Sequence, residues 1–289
     1  MASLKDIRRR IGSTTSTQKI TRAMKLVAAA KLRRAQDNIQ DARPYAVKLH
    51  ELISELGLRA EQQDHPLLAH REPRRVMLVV LTSNRGLCGA FNTNILRAAE
   101  TFLEENKDRY EELLLTVVGR KGRDYLQYRN VKIDRYYDGL DVKTAEGQAR
   151  KISAGILEEF LAEDLDMVSV IYNEFKSAMS QQIVVEQLLP IVPLEVDEQV
   201  EAPVDFIYEP NKDHILETIL PLYVHVELMR AALESTASEY GARMTAMENA
   251  TNSANDLIAA LTLEYNKARQ TAITTELLEI VAGAEALKN

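Results

Sequence analysis

The residue types that most readily do chemistry are all present in this 289-residue chain, but few are spaced for it. Two glycine pairs, Gly86 with Gly89 and Gly119 with Gly122, each follow an apolar run and invite a phosphate-binding reading. A dinucleotide fingerprint needs a third glycine so that the backbone can approach a pyrophosphate at a helix N-terminus. A phosphate loop needs Gly-Lys followed by Ser or Thr. Neither pattern occurs, so both pairs read as tight strand-to-helix turns. His50, His65, His70, His214 and His225 lack the spacing that sets two imidazoles on one helical face, since His65 and His70 are five apart around Pro66. Cys88 is the single cysteine and can form neither an internal disulfide nor a multi-thiolate metal site, which argues for a reducing compartment. It lies near Arg85 in a glycine-rich turn, where a nucleophile could sit, but a small buried thiol is the commoner use of such a residue. There is no Gly-x-Ser-x-Gly elbow, and the many carboxylates fall on charged helices that they solvate. The expectation is a chain that performs no catalysis and binds no cofactor or metal itself.

The elements around these residues are unequal. Seven of the eleven glycines lie between Gly86 and Gly155, whereas residues 222–289 contain no proline and only Gly241 and Gly283, so the ends read as helical and the middle does not. In the first segment Ala28, Leu32, Ala35, Ile39, Ala42, Ala46, Leu49, Ile53 and Leu56 alternate steps of four and three, which is a heptad seam. Pro44 falls inside it and is expected to kink or loosen the helix. Leu4, Ile7 and Ile11 begin a similar stripe, which residues 13–18 dilute before Ile20 and Met24 resume it. In the last segment Tyr240, Met244, Met247, Thr251, Ala254, Ile258, Leu261, Tyr265, Ala268 and Ala272 keep the same rhythm, and a shifted phase continues through Ile273, Leu277, Ile280, Ala284 and Leu287.

Length separates a coiled coil from an amphipathic helix lying on its own domain. A helix over residues 212–286 runs about 110 Å at the standard rise, whereas a compact chain of this size has a radius of gyration of about 19 Å. The N-terminal helix, about 80 Å long, supplies an antiparallel partner. Such a coil leaves apolar surface for a further partner to cover.

Between the ends, strands are predicted at 76–82, 113–118, 131–136, 167–172 and 182–188, with helices at 92–105, 120–128 and 144–161. Strands alternating with helices imply an α/β fold: a Rossmann-like, mostly parallel sheet domain inserted between two long terminal helices that form an antiparallel coiled coil. The predicted divisions are 1–58 for the N-terminal helix, 59–74 for a linker, 75–209 for the α/β domain and 210–289 for the C-terminal helix. Pro190, Pro193, Pro203 and Pro210 mark an irregular return to that last helix.

Charge is segregated. The chain carries a formal −7, yet residues 1–50 hold twelve basic against three acidic side chains, a local +9 that leaves −16 on the rest. That asymmetry points to an interaction surface. A nucleic-acid-binding coiled coil would use the basic helix, but the acidic remainder would repel a polyanion. An α/β nucleotide enzyme with helical oligomerisation arms is the other alternative. The longest wholly aliphatic run, 76–81, is far short of the roughly 20 residues that span a bilayer, so any membrane association is expected to be peripheral.

Three stretches carry a family resemblance. Residues 7–11 (Ile-Arg-Arg-Arg-Ile), 17–25 (Thr-Gln-Lys-Ile-Thr-Arg-Ala-Met-Lys) and 27–31 (Val-Ala-Ala-Ala-Lys) resemble the N-terminal helix of the γ subunits of F-type ATP synthases. Residues 85–89 (Arg-Gly-Leu-Cys-Gly) resemble that family's first strand-turn motif. Residues 266–270 (Asn-Lys-Ala-Arg-Gln) and 273–284, beginning Ile-Thr-Thr-Glu-Leu-Leu-Glu, resemble its C-terminal signature. The resemblance implies a rotor shaft inside a ring of three α and three β subunits. Its α/β foot would meet the ε subunit and the membrane c-ring, through which membrane contact is indirect. ATP or ADP and magnesium are then expected on partner subunits, and no nucleic acid is expected as a partner. It also implies residue roles: Arg269 and Gln270 match positions that hydrogen-bond a β loop, Met24 and Lys25 match positions near the shaft's contact with β, and Glu276 and Glu279 fall in the same region. Arg8, Arg9, Arg10, Lys19, Arg22, Arg33 and Arg34 are candidate electrostatic contacts with the ring. There is no inserted segment with paired cysteines, so thiol switching of the chloroplast type is not expected. Without a clear presequence, the expected location is the cytoplasmic face of a bacterial plasma membrane.

Overall fold

The computed structural model describes residues 3–57, 65–192 and 212–286. Residues 59–64 of the expected linker, Pro193, Pro203 and Pro210 of the expected return, and Leu287 of the expected seam lie outside the described residues. The elements run α1 (Leu4–Gly57), β1 (Arg75–Leu81), α2 (Phe91–Asn106), β2 (Glu112–Val118), α3 (Arg120–Tyr128), β3 (Arg135–Tyr137), α4 (Ala145–Leu161), β4 (Met167–Phe175), β5 (Gln181–Leu189) and α5 (Lys212–Ala286). The chain forms two compact units, one of residues 28–243 and one combining 1–27 with 244–289.

The larger unit is built on a five-stranded sheet of order β3-β2-β1-β4-β5. The first four strands are mutually parallel, and β5 returns antiparallel to β4. Strand β1 is apolar at every position after Arg75 because both faces of the central strand are covered. Met77, Val79 and Leu81 face a core completed by Ile152, Ile156 and Phe160 of α4 and by Leu216, Leu220, Val224 and Leu228 of α5. Leu78 and Val80 face Ile95, Leu96 and Ala99 of α2 and Leu126 of α3. In this unit α1 buries Ala28, Leu32, Ala35, Leu49 and Ile53 of the predicted seam and half-buries Ile39, Ala42 and Ala46, while the side chain of Leu56 lies outside what is described. It runs unbroken through Pro44, whose side chain is exposed.

The strand predicted at 131–136 is corrected to Arg135–Tyr137. Asp134 occupies the preceding ladder position with its side chain: its carboxylate accepts from the Leu115 N–H at 2.8 Å while its own N–H donates to the Leu115 carbonyl at 2.9 Å. Regular pairing of β2 with β3 therefore starts one residue later, at Thr116 with Arg135.

The smaller unit is a two-helix coil. Ile7 of α1 and Met247, Ala254 and Leu261 of α5 are buried, with Ile11, Ile258, Tyr265 and Ala268 half-buried. The predicted resumption of the α1 stripe at Ile20 is corrected, since Ile20 is 60% exposed. The seam passes instead through Thr14, Gln18, Thr21 and Lys25, which continue the four-three phase of Ala28 backwards to Ile11, Ile7 and Leu4. Apolar identity pointed to Ile20, and phase placed it on the outside.

Candidate functional site

In the coil unit three polar rungs cross from α1 to α5. The Gln18 side-chain amide donates to Asn255, the hydroxyls of Thr21 and Thr251 lie 2.8 Å apart, and the Lys25 ammonium meets Glu248 at 2.6 Å. Thr21 is buried, whereas Lys25 and Glu248 keep more than a third of their side chains in water. The predicted contact residue Lys25 therefore has a partner within the chain, and neighbouring Met24 is half-buried. Arg8, Arg9, Arg10, Lys19 and Arg22 are exposed on α1 of this unit, and Arg33 and Arg34 are exposed on α1 of the larger one.

The antiparallel register, with Lys25 opposite Glu248 and Gln18 opposite Asn255, sets Leu4 level with residues 268–269 of α5. Helix α1 ends there, and every α5 residue from 269 to 284 is exposed. Arg269, Gln270, Glu276 and Glu279 thus stand together on one helical segment that is unpaired among the described residues. With them stand Ile273, Leu277, Leu278, Ile280 and Val281, each 45% exposed or more. The hydroxyls of Thr271, Thr274 and Thr275 donate back to carbonyls of their own helix, which removes them as free donors. The shifted seam predicted beyond Ala272 is present as a pattern and has no neighbour among the described residues.

In the sheet unit the place to search for a ligand is the crevice beyond the carboxyl ends of β1 and β4, where the strand order reverses. Helix α5 lies across it. The Glu234 carboxylate accepts from the Phe175 N–H at 3.1 Å, Ser238 donates to the Asn173 carbonyl at 3.0 Å, and Arg243 donates to the carbonyls of Arg85 and Gly86 at 3.0 and 3.3 Å. Arg243 also meets Glu239 at 2.6 Å in a pair that is almost wholly buried. Burial pushes the Glu239 carboxyl upward and the Arg243 guanidinium opposes that shift. Beside this pair, Lys31 of α1 reaches Asp141 at 3.0 Å and the Tyr240 hydroxyl at 3.0 Å, and that hydroxyl donates to Asp141 at 2.9 Å. Burial alone would raise the Asp141 carboxyl; hydrogen bonds from Lys31, Tyr240 and the Val142 N–H outweigh it and hold the group below its usual range.

The glycine pairs behave as turns. Gly119 has φ +100°, and a Cβ there would lie 2.3 Å from the Thr82 carbonyl oxygen, so no other residue fits. The first three N–H groups of α3 are already taken, Arg120 by Asn84 Oδ1, Lys121 by the Ser83 carbonyl and Gly122 by Thr82 Oγ1, so this helix end cannot cradle a phosphate. Cys88 is buried with its sulfur 3.2 Å from the Asn92 amide nitrogen, and burial raises its thiol pKa. An inert packed thiol results, not a poised nucleophile. No group of three or more His, Cys, Asp or Glu suited to a metal ion occurs among the described residues, and none of their helices is long and apolar enough to cross a membrane.

Sequence reasoning missed the rungs at Gln18, Glu248 and Asn255 and the buried Glu239–Arg243 pair. Of the first set, unbroken heptad phase on α1 would have found Gln18, whereas Glu248 and Asn255 lie one residue beyond the α5 seam positions Met247 and Ala254 and are not marked by it. Nothing in the sequence marks the second, because the burial of Arg243 depends on where α5 crosses the sheet.

Comparison with known proteins places this arrangement. The protein-family model described as ATP synthase matches residues 3–287. The chain is 51% identical over 292 residues to the ATP synthase gamma chain of Anaeromyxobacter sp. (strain Fw109-5), covering 100% of both. It is 48% identical over 288 residues to that of Geobacter sp. (strain M21), again covering 100% of both. Among solved structures it resembles a chain of the central stalk and c-ring of the Tetrahymena thermophila mitochondrial ATP synthase, with TM-score 0.58, 27% identity and coverage of 80% of this chain and 99% of that one. It shares its fold with a chain from the Euglena gracilis mitochondrial ATP synthase at TM-score 0.69 and 24% identity, covering 98% of this chain and 94% of that one. Two terminal helices paired around a mostly parallel sheet, together with full-length identity near one half, lead to one assignment: this chain belongs to the family of ATP synthase gamma chains.

Proposed function

We propose that this chain is the central rotor shaft of a bacterial F-type ATP synthase. It would transmit ion-driven rotation of the membrane c-ring to a ring of three α and three β subunits, with ε at its foot. The observation that carries the reading is the α5 segment from Arg269 to residue 284, where apolar side chains are exposed and nothing among the described residues covers them. A soluble chain keeps such a stripe when a partner encloses it.

The physics of coupling sets what the shaft must supply. A partner is driven from one conformation to another only by the difference in its contact energy with the two faces presented to it. Reversing a two-state population from 1:99 to 99:1 takes about 5.5 kcal/mol. Exposed ion pairs give about 0.2–1 kcal/mol each, so Arg269, Glu276 and Glu279 could not do this alone. The apolar residues between them supply the remainder when a sleeve desolvates them, at about 25 cal/mol per Å². The shaft is asymmetric, one helix at the tip and two below it, so a threefold ring meets a different face at each β subunit.

In this reading the chain catalyses nothing itself. ATP, ADP and magnesium belong to partner subunits, and the chain is peripheral on the cytoplasmic membrane face, touching lipid only through the c-ring. Native mass spectrometry of the detergent-solubilised complex should find one copy per three α and three β subunits. The purified chain should hydrolyse no ATP. Recovery at three copies, or in a particle without nucleotide-binding partners, would remove the proposal.

A further inference from the structure

Helices α1 and α5 and the β4–β5 side of the sheet border a depression of about 620 Å³, a size suited to a small organic molecule. All of its lining residues belong to the larger unit. Ile39, Ala42 and Ala46 of α1 face it from one side and Val226, Met229 and Leu233 of α5 from another, and Phe175 at the end of β4 adds an aromatic ring. Val226 and Leu233 are buried, and the other five are half-buried. Walls of this kind favour an apolar body that displaces water from them.

Charged groups complete the lining, and all but two of them are paired with one another. Lys176 meets Glu174 at 2.7 Å, and Arg230 meets Glu227 at 2.8 Å and Glu186 at 2.7 Å. Arg43 is exposed, so water serves its guanidinium. Glu234 differs, because it is half-buried and has no ion-pair partner among the described residues. Its Oε2 accepts from the Phe175 N–H at 3.1 Å, whereas Oε1 accepts no hydrogen bond among the described residues and yet is not sealed from solvent. Burial pushes the Glu234 carboxyl up, and neither the Phe175 N–H nor the charge of Arg230 fully offsets it. A cation brought to Oε1 would supply the missing compensation. An anion would instead meet four carboxylates against three cations, two of which are already engaged. We infer that this depression is a binding site for a small amphipathic organic cation, its apolar body against the α1 and α5 walls and its ammonium group on Glu234 Oε1.

The site does not depend on the proposed rotor role and is tested on the full-length chain alone. The probe is 4-phenylbutylamine, titrated calorimetrically, with 4-phenylbutan-1-ol as its neutral counterpart. Saturable binding of the amine is expected, at least about tenfold tighter than that of the alcohol, the difference made by a charge-assisted hydrogen bond. Glu234→Gln keeps an acceptor for the Phe175 N–H and so preserves the fold; in this variant the amine and the alcohol should bind equally. Ala46→Phe places a ring in the depression from α1 and should abolish binding of both probes. Absence of saturable binding, equal binding of the two probes to the wild type, or a preference for the amine that survives Glu234→Gln overturns the inference, as does binding that survives Ala46→Phe. The comparison of amine with alcohol is made within one protein at a time, so a loss of stability in a variant does not imitate it.

Discussion

Asp141 and Gly119 show how single residues tie the elements of the sheet unit together. Gly119 lets β2 turn into α3 against the backbone of Thr82, and its φ of +100° already excludes most side chains. Gly119→Ala would combine that conformational strain with an overlap against backbone that cannot yield. A loss of more than about 3 kcal/mol is expected in urea unfolding, and a loss under about 1 kcal/mol would show that the turn can be rebuilt. Asp141 joins Lys31 of α1 to Tyr240 of α5, and its depressed carboxyl pKa makes the contribution pH-dependent. A group whose pKa is lower in the folded state stabilises above its ordinary value, here 3.8, and loses that contribution as pH falls through the folded value. Asp141→Asn should accordingly melt below the wild type at neutral pH, with the gap closing on acidification; a gap independent of pH would place its cause outside the ion pair. Residues of this kind were only partly legible in the sequence. Gly119 announces a turn by its type, whereas the partners of Asp141 are separated from it by about a hundred residues and meet through the fold alone.

At the level of elements, heptad phase proved a better guide than hydrophobicity. Nearly every seam position predicted on α5 up to Ala268 is buried or half-buried. The predicted stripe on α1 failed only where Ile20 was preferred to the polar residues in phase. Strands β1, β2 and β4 were legible because buried central strands are rich in apolar runs, and the edge strand β5 by the short runs of Ile183, Val184 and Val185 and of Leu188 and Leu189. β3 was not, because Val131 and Ile133 are apolar for a different reason: they pack against the α2–α3 core as irregular chain. Polar pairs at seam positions lower stability and fix register, since sliding the helices strands each group opposite an apolar neighbour. Replacing Thr21 and Thr251 together by Val should therefore leave thermal stability equal or raised, as matched polar partners are exchanged for apolar ones. The same variant should lower the yield of a disulfide between Gln18→Cys and Asn255→Cys in a Cys88→Ser background, because pairs other than the native one become accessible. An undiminished yield would show that Lys25–Glu248 and the apolar seam hold the register without the threonines.

For the molecule as a whole, the −7 average conceals a basic N-terminal helix and an acidic remainder, within which the exposed residues 269–284 of α5 carry only Arg269, Glu276 and Glu279 as charges. That end was legible as a helix but not as an unpaired one, because its lack of a partner among the described residues follows from the start of helix α1 at Leu4 and from the register of the coil. Its exposure gives the last prediction a clean control. Arg269 and Gln270 lie beyond the coil and are both exposed, so changing them should leave the fold and melting temperature of the chain untouched. In the assembled complex the same two side chains would lie against a β subunit. Arg269→Ala with Gln270→Ala would there remove a charged and a neutral hydrogen bond, worth about 2–4 kcal/mol together. Only the part of that energy that differs between β conformations reaches the rate, so coupled ATP turnover should fall by about tenfold rather than by the full amount. Unchanged turnover with an intact complex would remove both residues from the contact set and leave the apolar stripe of Ile273, Leu277 and Ile280 as the surface through which the tip acts. A fall in turnover accompanied by a lower melting temperature of the isolated chain would instead trace the effect to the shaft itself.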